Sequence, residues 1–169
     1  GSTAQTGWLI TGNTITANNG NPLELYDVTN STVSGNTLTT TASGGSNVMW
    51  FSELSDLTDL VFTDNVLDGS SGSQVAIGTD FRNDGPFAGA QATSITTVTI
   101  TGNSFNNWGS RALRLGKVGS GTLTGAIVHN NKFLGTGEAL NNEDAETVNA
   151  EQNWWGTAVF STIEAMTNE

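Results

Sequence analysis

The sequence predicts an all-β fold, a parallel β-solenoid of about six coils, because one pattern recurs along the chain. Apolar residues lie five and three positions before an asparagine and two positions after it. The pattern surrounds Asn13, Asn36, Asn65, Asn103, Asn131 and Asn153. Only the copy at Asn36 has a polar residue, Ser31, in its first position. Six copies in 169 residues indicate a repeat protein.

The spacing within the pattern predicts a strand, a corner and an inward ladder. Apolar residues two apart, such as Val98 and Ile100, mark a strand with one buried face. The three-residue step from Ile100 to Asn103 breaks that period, so the chain must turn there. Asparagine tolerates the left-handed backbone that such a corner needs. In stacked repeats each asparagine amide can bond the next, so we expect a buried asparagine ladder.

The first strand of each repeat predicts two outward rows, a row being the residues at one position on successive strands. One row contains Leu9, Thr32, Val61, Thr99 and Ile127, and the other contains Thr11, Ser34, Thr63, Thr101 and His129. We expect His129 to lie between Thr101 and Glu151. A flat face of threonine and aliphatic residues favours an ice-binding surface or a contact with another protein.

Each repeat contains a second apolar segment, and alternation along it predicts a further pair of outward rows. The residues expected to point inwards are Leu23, Leu25, Val48, Trp50, Val75, Ile77, Leu113 and Leu115. One outward row then reads Glu24, Met49, Ala76, Arg114 and Leu140, and the next reads Tyr26, Phe51, Gly78, Gly116 and Asn142. Two aromatic residues followed by two glycines describe a ridge beside a trough.

The carboxyl end predicts a short capping helix. Ser161 followed by Glu164 has the spacing of a capping box, and Ile163 and Met166 share one helical face. We expect this helix to cover the last coil and Trp154, because an open coil exposes core and unpaired strand edges. The expected division is a leader or tag remnant at 1–7, a β-helix domain at 8–157 and a cap at 158–169.

Composition limits the function classes. The net charge is −11, which argues against nucleic acid as a partner. There is no cysteine, and no apolar run is long enough for membrane insertion. Richness in Thr, Asn, Gly and Ser with five Lys and Arg residues is typical of extracellular β-proteins. We expect an extracellular or cell-surface location beside neighbouring domains of a larger chain.

The repeats, closing with Asn153-Trp154-Trp155-Gly156, resemble the right-handed parallel β-helix proteins of the pectate-lyase-like superfamily. The resemblance runs from about Trp8 to Gly156, and the terminal Asn-Trp-Trp-Gly motif is similar to that of small bacterial extracellular members. It implies a right-handed parallel β-helix and a secreted protein. The superfamily includes polysaccharide lyases, hydrolases, epimerases, phage tailspikes, adhesins and surface modules without activity.

The candidate ligand-binding residues combine outward aromatic and basic side chains: Tyr26, Phe51, Trp108, Arg111, Arg114 and Lys117. Sugars stack on exposed aromatic rings while polar groups fix their orientation. This pattern favours a non-catalytic module that binds a polysaccharide, oligosaccharide or cell-surface component. The alternative is a small uronate lyase or epimerase-like enzyme, in which Arg111, Arg114 and Lys117 would act on the proton beside a carboxylate.

One long excursion, residues 78–90, separates the third and fourth repeats. Insertions in repeat proteins are loops on one face, often the binding face. Asp80, Asn83 and Asp84 offer oxygen ligands of the kind that Ca²⁺ prefers, although their spacing matches no standard calcium loop and ordinary turn chemistry explains them better. No cofactor other than this possible calcium is expected.

Overall fold

The computed structural model describes residues 5–26, 28–41, 47–52, 57–70, 75–80, 94–115, 122–135, 137–142 and 146–168. Within these ranges the chain forms short strands and one helix. In chain order the elements are β1 (Gln5–Thr6), β2 (Leu9–Thr11), β3 (Thr14–Ala17), β4 (Leu23–Tyr26), β5 (Val28–Thr29), β6 (Ser31–Ser34), β7 (Thr37–Thr40), β8 (Asn47–Ser52), β9 (Leu57–Thr63), β10 (Val66–Asp68), β11 (Val75–Asp80), β12 (Ser94–Thr101), β13 (Ser104–Asn106), β14 (Arg111–Leu115), β15 (Thr122–Thr124), β16 (Ile127–His129), β17 (Lys132–Leu134), β18 (Glu138–Asn142), α1 (Phe160–Met166) and β19 (Thr167–Asn168).

Apart from the two-stranded parallel sheet of β1 and β5, the strands form three parallel sheets that the chain visits in turn. The first sheet contains β2, β6, β9 and β12, and β12 pairs with both β15 and β16. The second sheet contains β3, β7, β10, β13 and β17, and the third contains β4, β8, β11, β14, β18 and β19. Each strand therefore pairs with the equivalent strand of the next repeat, and the predicted all-β, parallel architecture is confirmed.

The apolar positions of the repeat form continuous inner rows. In the first sheet the inner row is Ile10, Val33, Phe62, Ile100 and Val128. In the second it is Ile15, Leu38, Leu67, Phe105 and Phe133. The rings of Phe105 and Phe133 stack at 5.0 Å, and Trp155 stacks on Phe133 at 4.8 Å. Burial of each such ring contributes about 1.5–3 kcal/mol, so these rows supply much of the core.

The six asparagines form an uninterrupted ladder beside that core. The Nδ2 of each donates to the Oδ1 of the following one at 2.9–3.0 Å. The backbone N–H of each donates to the same oxygen. From Asn36 onward, Nδ2 also donates to a backbone carbonyl of the preceding repeat. Because these amides are paired, four of them are at most 1% exposed without an unsatisfied group.

The corner beside the ladder differs in detail from the prediction. The residue before each ladder asparagine, and not the asparagine itself, has the left-handed backbone. These residues are Gly12, Gly35, Asp64, Gly102, Asn130 and Gln152, with φ between 56° and 69°. A second left-handed position lies six residues before the asparagine, at Gly7, Asn30, Asp59, Thr97 and Gly125. The first strand of each of these repeats is thus bent at both ends.

The register of the third sheet corrects the prediction for its outward rows. Leu23 pairs with Met49, which pairs with Ile77, then Leu113 and Leu140. The neighbouring row is Glu24, Trp50, Gly78, Arg114 and Asn141. The prediction placed Trp50 in the row of Leu25, which instead pairs with Phe51, so it was wrong by one residue. A one-residue shift exchanges the inward and outward residues of a strand. No ladder asparagine fixes the register in this sheet.

The carboxyl-terminal segment forms a helix and then returns to the third sheet. The N-cap of α1 is Val159, which makes no side-chain capping bond, so the predicted capping box at Ser161 is wrong. Met166 packs against the core, and β19 pairs with β18. Among the described residues, no helix has the length and apolar character needed to cross a membrane. The division at 1–7, 8–157 and 158–169 stays a prediction.

Candidate functional site

The backbone register differs from the one predicted for the aromatic ridge of Tyr26 and Phe51. Tyr26 pairs with Ser52, and Phe51 pairs with Leu25, so the two aromatic residues lie in different rows. Their side chains are outside the described part of the structure. The expectation of a Tyr26–Phe51 ridge is therefore wrong in register, for the reason that shifts Trp50.

Trp108 is buried and not outward as predicted. Its side chain is 4% exposed, and its ring meets Phe133 edge-on at 6.4 Å. Gly135 lies against the ring, since a Cβ there would come within 2.7 Å of three ring atoms. Gly137 is also close, with its Cβ position 3.0 Å from Nε1. Gly135 and Gly137, in the following repeat, leave the space that the Trp108 ring occupies, and this pair of glycines is the sequence signal for its burial.

The predicted basic group is only partly described. Arg111 Nε donates to Glu138 Oε2 at 2.7 Å, and the two residues pair in register on β14 and β18. Arg114 pairs with Gly78 and with Asn141, which is 1% exposed. Lys117 lies outside the described residues. The charge of Arg111 is therefore already balanced by a carboxylate of the neighbouring strand.

The predicted calcium ligands fall largely outside the described chain. The backbone of Asp80 ends β11 and pairs with Ser52, whereas Asn83 and Asp84 lie outside the described residues. Among the residues that the structure describes, no group of three His, Asp or Glu side chains could hold a metal ion. Calcium at this loop stays a prediction.

The two outward rows of the first sheet have the predicted register. Leu9, Thr32, Val61, Thr99 and Ile127 form one row, and Thr11, Ser34, Thr63, Thr101 and His129 form the other. Leu9 is 70% exposed and Ile127 is 38% exposed, while the threonines between them are half-buried. Ser34 Oγ donates to Thr11 Oγ1 at 3.2 Å. The face is an in-register array of hydroxyl and aliphatic groups.

His129 lies at one end of this array. His129 pairs with Thr101 as predicted. Its Nε2 lies 2.7 Å from Asn149 Oδ1, and Ile127 bridges to Asn149 in the next repeat. The imidazole is therefore held by an amide at the edge of the sheet, which fits a surface residue.

The outer face of the second sheet was not singled out by the sequence and carries an exposed tryptophan. Its first row is Thr14, Thr37, Val66, Ser104, Lys132 and Trp154, and its second is Thr16, Thr39, Asp68, Asn106 and Leu134. Trp154 is 49% exposed and Leu134 is 45% exposed. The expectation that the helix covers Trp154 is wrong. Its outward direction follows from Trp155, which occupies the inward position of the repeat.

The outer faces of the first and second sheets present hydrogen-bonding side chains and one exposed indole. Hydroxyl and amide side chains supply hydrogen-bond donors and acceptors, and the Trp154 ring supplies a flat apolar surface. The described residues of these rows contain Asp68 and Lys132 as their charged members apart from the histidine. Searches of protein-family models, of curated proteins and of solved structures find no match to this chain.

Proposed function

We propose that the chain is a right-handed parallel β-helix of about six coils, one coil per asparagine repeat. The order in which the chain visits three parallel sheets supports this fold, as does the ladder that links equivalent positions. Crossovers between parallel strands are right-handed in nearly all proteins, which supports the handedness. The resemblance to pectate-lyase-like repeat proteins agrees with it.

The chain acts as a non-catalytic, extracellular or cell-surface module that binds carbohydrate through the outer faces of the first and second sheets. The observation that carries this proposal is the exact repetition of hydroxyl-bearing positions in register, from Thr11 to Thr101. Strands in a sheet are about 4.8 Å apart, so the rows present a regular ladder of donors and acceptors. A repeating polymer with many hydroxyl groups suits such a surface better than a single small molecule does.

The enzyme alternative has less support from the geometry. A lyase that uses Arg111 needs a guanidinium free to act on the substrate, but Glu138 holds it at 2.7 Å. Breaking that ion pair on substrate binding would add a cost to the reaction. The ice-binding or protein-contact alternative shares the first-sheet face with our proposal. Binding to an ice lattice favours a uniform repeat of one side chain. The first-sheet face instead mixes Leu9, Val61 and His129 with threonine.

The test is a binding and turnover assay with pectate, alginate, hyaluronan and neutral plant polysaccharides. We expect at least one of them to retard the protein in affinity electrophoresis, with no rise in the ultraviolet absorbance of unsaturated uronate. Thr63→Glu places a charge in the middle of the first-sheet face and should weaken retardation. Thr162→Glu, on exposed helix α1, is the matched control and should not.

Absence of retardation by every polysaccharide would reject carbohydrate as the ligand class. An absorbance rise that Arg111→Ala abolishes would reject the non-catalytic assignment. Slowed ice growth in a recrystallisation assay, lost in Thr63→Glu, would favour the ice-binding alternative.

A further inference from the structure

The ring of Trp154 is exposed, but its backbone is fixed on both sides. Trp154 N–H donates to the carbonyl of Asn131, and the carbonyl of Trp154 accepts from Phe133 N–H, each at 2.8 Å. The residue before it, Asn153, is the last rung of the ladder, and the residue after it, Trp155, stacks on Phe133. An aromatic ring that is 49% exposed on so constrained a backbone loses little freedom when a ligand covers it.

Lys132 is the neighbour of Trp154 in the outer row of the second sheet. The two residues bridge in register on neighbouring segments, and both are exposed on the outer face of the second sheet. Residues paired in register point to the same side of a sheet, about 4.8 Å apart along the row. Lys132 makes no ion pair with any residue that the structure describes.

The described surroundings of Lys132 on this face contain little negative charge. The outer rows of the second sheet contain one acidic residue in the described strands, Asp68, two strands away from Lys132. Its Oδ1 already accepts from Asn107 Nδ2 at 3.0 Å and from Ser70 N–H at 2.8 Å. In a chain of net charge −11, Lys132 has no ion-pair partner among the described residues and neighbours an exposed tryptophan.

We propose that Trp154 and Lys132 form a subsite for an acidic sugar, a pyranose ring that carries a carboxylate. The C–H face of the ring stacks on the indole, and the carboxylate accepts a charge-assisted hydrogen bond from the Lys132 ammonium. Ser104, the next residue in the row, and Asn106 on the same strand offer polar groups to the adjoining sugar. The inference rests on the proposed carbohydrate-binding function and names the sugar class for one end of the surface.

A uronate fits these contacts better than the other acidic ligands do. It carries the apolar face and the carboxylate on one rigid ring, as the in-register pair requires. A neutral sugar leaves Lys132 without a counterion, and an acidic peptide has no flat face for the indole. The ligand contacts an open sheet face, so stacking area and one charge determine the affinity.

The experiment follows the indole N–H resonances of the five tryptophans in an isotope-labelled protein. Trp154→Phe assigns the Trp154 signal, and the protein is titrated with a short oligogalacturonate, a neutral cello-oligosaccharide and a glutamate-rich peptide. We expect a saturable shift of the Trp154 signal with oligogalacturonate. Lys132→Met should weaken that binding by about two- to fivefold, whereas Trp154→Ala should weaken it by about tenfold or more.

Trp8→Ala is the matched control, because Trp8 is 47% exposed and the adjacent strand β6 carries no basic residue. It should leave the affinity unchanged. A Trp154 signal that stays fixed at saturating oligogalacturonate overturns the subsite. If other resonances on the outer faces still shift, carbohydrate binding stands without this subsite, and if none shifts with any sugar, the proposed function fails as well. An equal response to the peptide, or no effect of Lys132→Met, contradicts the sugar class.

Discussion

Thr97 and Asp59 lie opposite each other on neighbouring strands of the first sheet, and both have a left-handed backbone. Their φ angles are 60° and 54°. The pairing runs from Thr96–Thr58 to Val98–Leu60 and omits the two residues between. Glycine or asparagine occupies this bend in three further repeats, at Gly7, Asn30 and Gly125. A β-branched residue there is strained, so Thr97 is a local weak point of the first sheet.

Thr97→Asn should therefore stabilise the protein. Asparagine adopts the left-handed region at lower cost than threonine, and we expect the free energy of unfolding to rise by about 0.5–1 kcal/mol. The measurement is a denaturant titration. The control, Thr99→Asn, lies in the regularly paired part of the same strand and should lower stability slightly. A neutral or destabilising Thr97→Asn would show that the bend at this position is not strained.

Asn103→Ala should be among the most damaging single changes. Its Oδ1 accepts from the backbone N–H and Nδ2 of Asn65, and its Nδ2 donates to the carbonyl of Phe62. Alanine leaves these buried groups unpaired, so we expect a loss of at least about 3 kcal/mol by chemical denaturation.

The same substitution at Asn13 is the control, because Asn13 is exposed and begins the ladder. It should cost about 1 kcal/mol. Asn107 is unsuitable as a control, since its φ of 54° would add backbone strain to any alanine. Equal losses at Asn103 and Asn13 would contradict a buried ladder.

The repeat pattern predicted the inner rows, the ladder and the first-sheet rows for a physical reason. Each first strand is followed at a fixed distance by its ladder asparagine, so a match such as Ile100 with Val128 follows from numbering alone. The third-sheet strands follow connections of different length and have no such anchor. Their register was therefore wrong by one residue at Trp50.

The predictions for Trp108 and Trp154 were wrong because their exposure depends on packing between segments that the repeat pattern does not describe. Trp108 was predicted to be outward because its local sequence looks like a loop, but Gly135 of the next repeat leaves room for its ring. Trp154 was predicted to be covered because the helix is nearby in sequence, yet α1 leaves it 49% exposed. The pairing of Lys132 with Trp154 follows from the repeat spacing, whereas the exposure of Trp154 depends on the position of α1, which the repeat does not determine.

Gly135→Ala should test the pocket of Trp108. The added Cβ overlaps a buried ring, and we expect a loss of about 1–3 kcal/mol in unfolding free energy. In a Trp108→Leu background the Gly135→Ala change should lower the unfolding free energy clearly less, because the overlapping ring is absent. Gly137 is a poor comparison, since a Cβ there also meets the backbone carbonyl of Ser110. Additive losses in the double-mutant cycle would contradict the contact.

Removal of residues 160–169 should expose the edge of β18. The deletion takes away the β19 partner strand and the contact of Met166 with the core. We expect a lower melting temperature and association in sedimentation velocity, because unpaired strand edges promote pairing between molecules. Ser161→Ala is the control and should change neither, since it makes no capping bond. A truncated chain that stays monomeric with an unchanged melting temperature would show that this segment does not protect the sheet.

The most direct test of the proposed function is a map of the binding face by backbone amide chemical shifts during titration with a uronate oligosaccharide. We predict that the shifted residues lie on the outer rows of the first and second sheets, from Thr63 and Thr101 to Lys132 and Trp154. Shifts centred on Arg111 and Arg114 of the third sheet, or no saturable shift with any oligosaccharide, would contradict it.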